Sequence, residues 1–248
     1  MSDPNAVLEL LEKLTPHETG LDLIRVGGDY DGGYLIPNDL SEIQSCVSPG
    51  CDKKIQFELD LFDKFGITSL LIDKVDGKPH LKIDPHEFIE KWVGPFDSDE
   101  YISLTSLLER TKGGDIILQM DIEGAEYRSL MATSEKDLSR FRIMVIEFHF
   151  MSLVKNKTFL EYTASLLFEK LLITHVIVHA HPNNAVKSWT YHGLEYPEVI
   201  ELTFLRRDRI RGLLKKAELP NELDRPNIPG NLEPRINLNT DHPFESAF

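Results

Sequence analysis

Five ionisable side chains stand at the ends of apolar runs: Asp121, Glu147, His149, His179 and His181. Asp121 follows the run Ile116–Met120, inside Gln119-Met-Asp121-Ile-Glu123-Gly-Ala-Glu126. Glu147 and His149 close the run Ile143–Phe148, where period-two alternation sets both on one side of a strand. His179-Ala-His181 repeats that spacing and is followed by Pro-Asn183-Asn184. Acids and imidazoles gathered this way support two chemistries. Mixed oxygen and nitrogen donors hold a divalent ion, with Mn, Fe or Zn better suited than Ca. Alternatively, a histidine oriented by a carboxylate acts as a general base. The plain structural alternative makes Asp121 a cap for a helix starting near Gly124, with Glu123 in its first turn.

To position these groups the chain must alternate strands with helices. Apolar runs at Gln44–Ser48, Thr68–Ile72, Phe88–Val93, Ile116–Met120, Ile143–Phe148, Ile173–Val178 and Val199–Leu205 read as strands. Between or before them, helical spacing covers Ala6–Leu14, Ile55–Phe65, Leu104–Arg110, Ala125–Leu130, Ser134–Arg140 and Thr158–Leu172. Parallel neighbours need crossovers, so the expected fold is a doubly wound α/β domain with a mostly parallel sheet. Residues 1–218 form that domain, and the Pro- and Asn-rich residues 219–248 form an extended tail packed on it. Ligands of such sheets bind beyond the carboxyl ends of the strands, where the strand order reverses.

The balance of 27 basic against 41 acidic residues gives a net charge of −14. Such a surface argues against general binding of nucleic acid or anionic membranes. With 41% hydrophobic residues the chain can build a core, and it has no uncharged run of the ~20 residues a membrane helix needs. The acidic opening MSDPNAVLELLEKL is unlike a secretory signal, so a cytoplasmic location is expected. Its amphipathic helix would suit a homodimer contact or a docked lid. Cys46 and Cys51 lack metal or redox spacing and read as buried filler.

The first strand ends in Ser48-Pro-Gly50-Cys-Asp52, a small-residue turn that lets backbone approach a ligand. The second ends in Asp73, 23 residues beyond Gly50, a spacing that fits an acid accepting both ribose hydroxyls. The glycines of a diphosphate fingerprint are missing, which points to a nucleoside without pyrophosphate.

Leu118-Gln-Met-Asp-Ile-Glu-Gly-Ala-Glu126 resembles the signature of the FkbM-type, S-adenosylmethionine-dependent methyltransferases. So do Arg25-Val-Gly, Asp31-Gly-Gly-Tyr34, Ile146-Glu-Phe-His149, His179-Ala-His-Pro-Asn-Asn184 and Glu201-Leu-Thr, in order from about residue 25 to 206. Within the family the chain resembles bacterial enzymes that O-methylate sugars for capsule or other surface polysaccharide. The resemblance implies a seven-stranded, Rossmann-like sheet whose last strand is antiparallel. It implies S-adenosylmethionine as cofactor, with Ser48 and Gly50 along its amino acid part, Glu58 near it and Asp73 on the ribose. Asp121 would border the same site. Arg25 and the turn Asp31-Gly32-Gly33 would close over the cofactor, and Phe96-Asp-Ser-Asp99 would flank the adenine.

A sugar hydroxyl needs a base, a metal, or both before it attacks a sulfonium methyl. The expected metal ligands for Mn or Mg are Asp121, Glu147 and His181, with His149 or His179 taking the proton. The expected partner is a small sugar, free or linked to a nucleotide. Rival readings are a metal-independent enzyme acting on a lipid or natural-product hydroxyl, a non-catalytic cofactor-binding protein, and a metal-dependent hydrolase or isomerase. Arg206-Arg-Asp-Arg209-Ile-Arg211 reads as a solvated basic face or a landing site for nucleotide phosphates. Trp92 and Trp189 read as packing residues.

Overall fold

A computed structural model describes residues 1–52, 54–74 and 84–238. Seven strands make the central sheet: β1 (Ser45–Pro49), β2 (Thr68–Ile72), β3 (Glu87–Ile89), β4 (Ile116–Met120), β5 (Phe141–Phe148), β6 (His175–Pro182) and β7 (Ile200–Arg206). They lie in the order β6-β7-β5-β4-β1-β2-β3. β7 runs antiparallel to both its neighbours and every other pair is parallel. This is a doubly wound, Rossmann-like α/β sheet whose strand order reverses between β1 and β4.

The central strands are apolar along their whole length because helices cover both faces; all eight residues of β5 are buried. One face packs against α1 (Pro4–Lys13), α3 (Leu104–Arg110), α4 (Glu126–Ala132), α5 (Glu135–Leu138) and α6 (Ser165–Thr174). The other packs against α2 (Gln56–Phe65) and the hairpin Leu23–Val26/Tyr34–Pro37. Thr203 Oγ1 pins that hairpin to β7 by donating to the Leu35 carbonyl at 2.8 Å.

Asp3 caps α1 through the amide of Asn5, and Val7, Leu10 and Leu11 on its apolar stripe are buried in the core. Ser2 adds a hydrogen bond to the Val154 carbonyl at 2.6 Å and accepts one from Tyr191 at 2.8 Å. The first helix is therefore part of the domain rather than an exposed amphipath, and its apolar stripe is not free for a partner.

Three local expectations need correction. The run Phe88–Val93 is split: β3 ends at Ile89, and Trp92–Val93 pairs instead with Tyr101–Ile102. The helix expected over Thr158–Leu172 is a short turn, Lys157–Phe159, a π-helical turn, Leu160–Ala164, and then α6. β6 continues through His179 and His181, with a register shift between Ile177 and His179. That bulge puts the two histidines on the face occupied further back by Val176 and Val178. Of the tail, residues 219–238 are described: Ile236 and Leu238 pack on the core and Asn237 bridges to Glu195. Residues 239–248 lie outside the described residues.

Candidate functional site

Strand register sets a polar row across the carboxyl end of the sheet. Met120 pairs with Ile146, so Asp121 follows beside Glu147; Glu147 pairs with Glu201, and Glu201 with His181. The sequence suggests that the strands bearing Asp121, Glu147 and His181 adjoin. Only the first two do: β7 separates β5 from β6 and places Glu201 between Glu147 and His181. His181 Nδ1 lies 3.4 Å from Glu201 and its Nε2 3.9 Å from Glu233. The histidine beside Asp121 and Glu147 is His149, whose Nε2 is 3.7 Å from each and 3.4 Å from Glu123. The expected ligand trio Asp121, Glu147 and His181 is thus replaced. Among the described residues, Asp121, Glu123 and His149 bring their donor atoms within 4.8 Å of one another.

His149 is held from behind by Glu126. The Glu126 carboxylate is fully buried; its Oε1 lies 3.2 Å from His149 Nδ1 and accepts the amides of Ile122 and Gly124 at 3.1 Å each. With Nδ1–H donating to Glu126, Nε2 is left facing the acids. Burial opposes charge on His149, but Glu126 and the surrounding carboxylates prevail and raise its pKa. Burial raises Asp121 to about 7 despite His149, and burial with Asp121 and Glu201 nearby raises Glu147. Asp121 Oδ1 and Glu147 Oε2 are buried without a hydrogen-bond partner. Asp121 is not a helix cap, since α4 starts only at Glu126. The turn before it depends on Gly124, at φ +97°, where a Cβ would lie 2.4 Å from the Phe150 ring.

Beside the row, at the carboxyl ends of β1, β2 and β4, lies a cavity of about 430 Å³, within the range of small-molecule sites. Gly50, Glu58, Asp73, Asp121, Asp31 and Gly32 all line it. Its lining acids are Asp31, Asp52, Glu58, Asp73, Asp121 and Glu123, against the three bases Lys54, Lys91 and Arg128. Asp73 accepts the amides of Asp52 and Lys74 at 2.7 Å each, which fixes its carboxylate at the wall. Gly50, at φ +82°, is required by the protein itself: a Cβ would fall 1.5 Å from the Asp121 carbonyl oxygen. Lys54 and Asp31, 2.8 Å apart, tie the loop after β1 to the hairpin turn.

Ser48 does not line the cavity; it supports it from beneath. Its hydroxyl donates to Gln119 Oε1 at 2.8 Å and also bonds Glu58. One hydroxyl proton cannot serve both acceptors, so a protonated Glu58 supplies the second. Burial raises Glu58 to about 7, in keeping with this, and its Oε2 has no partner. Arg25 likewise stays outside the cavity, donating to the carbonyls of Gly28 and Tyr30 and so shaping the turn that carries Asp31. Phe96-Asp-Ser-Asp99 is absent from the wall. Asp97 instead accepts the Ser103 amide, and Trp92, Val93 and Tyr101 supply that side, which makes Trp92 a wall residue rather than a packing one.

His179 sits one row deeper, opposite Thr203, with Nε2 2.9 Å from Asp224 of the tail. The Arg206–Arg211 cluster is at the far end of the sheet. There Arg206 binds Asp115 and Asp208, and Arg209 and Arg211 bind Asp39, so these arginines are paired with carboxylates away from the polar row. Cys46 and Cys51 are buried thiols.

Residues 99–172 match the family model for the methyltransferase FkbM domain. That stretch contains Asp121, Glu123, Glu126, Glu147 and His149. No curated protein matches the chain. Among solved structures, the mitomycin 7-O-methyltransferase MmcR aligns over 68% of this chain and 50% of its own, at 11% identity and a TM-score of 0.29. The chain thus spans half the length of that protein. No helix among the described residues is long and apolar enough to cross a membrane.

Sequence reasoning missed Glu126 and Glu201 as site residues. Both lie in quoted strings, but their roles need the turn at Gly124 and the insertion of β7 to become visible.

Proposed function

We propose that the chain is an S-adenosylmethionine-dependent O-methyltransferase acting on a sugar hydroxyl, in the service of a surface polysaccharide. The observation that carries this reading is the acid-lined cavity opening beside an oriented imidazole, His149. A cavity with six acids against three bases suits a cationic nucleoside. Asp73 would accept the ribose hydroxyls, and the unpartnered Oε2 of Glu58 would accept from an ammonium group. S-adenosylmethionine, when bound, supplies a methyl group on a positively charged sulfur.

His149 Nε2 would take the proton of the acceptor hydroxyl and so make its oxygen nucleophilic toward that methyl group. Glu126 holds the ring in the tautomer that makes Nε2 the base and stabilises the imidazolium that results. Glu147 and Asp121 accept hydrogen bonds from neighbouring hydroxyls and align the nucleophile. His179, bound to the tail, is set too deep in the sheet to share this position.

A second reading rests on the close approach of Asp121, Glu123 and His149 donor atoms. Mn or Mg held there would lower the hydroxyl's pKa directly, and the unpartnered oxygen of Glu147 would join as a further ligand. The deciding experiment incubates the protein with S-adenosylmethionine and a panel of free and nucleotide-linked sugars and looks by mass spectrometry for one added methyl. Absence of both methyl transfer and S-adenosylhomocysteine binding overturns the reading.

A further inference from the structure

The polar row does not stop at the cofactor cavity. It runs from Asp121 through Glu147 and Glu201 to His181, and His181 lines a second cavity of about 670 Å³ beneath the tail. Glu147 and His181 are two strands apart, about 10 Å. Between them Glu201 and Asn227 are buried; Asn227 donates to Glu201 at 2.6 Å, yet its own Oδ1 has no partner. A buried polar band with unpartnered acceptors, lying between two cavities, is costly for a folded chain unless water or ligand hydroxyl groups complete it.

The two cavities differ in character. The second has more apolar walls, including Leu219, Pro226 and Ile236, of the kind that cover the carbon–hydrogen faces of a sugar. Its charged lining residues are Arg225 and Arg235 with Asp224 and Glu233, and both acids are already engaged: Asp224 lies 2.9 Å from His179, and Glu233 accepts from Asn184 at 3.0 Å. Arg225 donates to the carbonyls of Glu222 and Asp224, which fixes its position on the tail. Arg235 has no side-chain partner among the described residues. Two exposed arginines lining a partly apolar cavity whose acids are already partnered suit a phosphate on an organic ligand.

We propose that the second cavity is the acceptor subsite and binds a glycosyl phosphate. The phosphate lies on Arg225 and Arg235, and the sugar reaches along the Glu201–Asn227 band toward Glu147 and His149. A sugar carrying an anomeric phosphate covers a span of this order. The inference rests on the reading that the chain methylates a sugar, and it adds which end of the acceptor is recognised and by what.

The test is calorimetric titration of the full chain, with and without S-adenosylhomocysteine. The probes are glucose, galactose and mannose 1-phosphates, UDP-glucose, the free sugars and inorganic phosphate. At least one phosphorylated sugar should bind, with its free sugar and inorganic phosphate each at least tenfold weaker. R225Q/R235Q should weaken that binding at least tenfold and leave S-adenosylhomocysteine affinity unchanged. Leu219→Trp, which fills the cavity without altering charge, should weaken it as well. Failure of every phosphorylated sugar, equal binding by both variants, or displacement of S-adenosylhomocysteine overturns the proposal. Inorganic phosphate binding as tightly as the sugar phosphates also overturns it, leaving a simple anion site. If S-adenosylhomocysteine does not bind, the methyltransferase reading fails, while titration of the ligand-free chain still decides the cavity.

Discussion

Glu126 grips His149 Nδ1 at 3.2 Å with the same oxygen that gathers the amides of Ile122 and Gly124. The imidazole and the turn carrying Glu123 are thereby fixed by one carboxylate. Glu126→Gln keeps an acceptor for the amides but removes the charge behind the imidazole. Turnover should fall about 10–100-fold, as for other residues that orient a functional histidine. S-adenosylhomocysteine affinity, measured by calorimetry, should stay within a factor of two or so of the parent. An unchanged kcat would mean that His149 is not the base.

Asp73→Asn separates binding from chemistry. The side chain keeps one oxygen for one of its two backbone amides but loses the second acceptor and the charge offered to a ribose. A charged hydrogen bond contributes about 1.5–3 kcal/mol, so cofactor affinity should drop roughly 10–100-fold. At saturating cofactor the turnover should recover. A loss of kcat that saturation does not restore would assign Asp73 to the fold instead.

Glu58 gives the protein a stability that depends on pH. Its folded pKa of about 7 stands above the ordinary 4.5 because the carboxyl is buried. The folded state therefore holds its proton more tightly, and this contribution is complete below pH 4.5 and lost as pH rises through 7. The difference corresponds to about 3 kcal/mol. The thermal midpoint of the ligand-free protein should decline over that window, and Glu58→Gln should flatten the decline. Cofactor binding should release a proton near pH 6, visible as a buffer-dependent heat.

The acid excess around the first cavity predicts discrimination by charge. S-adenosylmethionine should bind more tightly than S-adenosylhomocysteine, which lacks the sulfonium charge, and the gap should narrow as salt rises. Equal affinities at low salt would show that the lining carboxylates are mostly protonated or paired when the ligand arrives.

Chelation distinguishes the two routes to a reactive hydroxyl. With His149 as base, exhaustive EDTA treatment should leave kcat unchanged. Loss of turnover restored by Mn or Mg would instead put an ion on Asp121, Glu123 and His149.

The sequence makes the sheet legible because its strands are continuous apolar runs; Thr68–Ile72 and Ile116–Met120 coincide with β2 and β4. Asp73 and Asp121 are legible for a related reason, since each directly follows such a run and lines the cavity. Lateral order is harder to read. Nothing in the string around Glu201 shows that β7 enters between β5 and β6, so the separation of His181 from Glu147 is hidden. The bulge between Ile177 and His179 obscures where β6 ends. The motifs place Arg25 and Ser48 at the ligand, whereas the structure uses them to brace the turn and the cavity floor.

The late arrival of β7 also governs assembly. Until residues 200–206 are in place, β5 and β6 each present an unpaired margin on the side where β7 will sit. A nascent chain halted before Ile200 would expose two sticky borders and leave its imidazoles on separate halves, so synthesis must run nearly to the tail before the sheet is sealed.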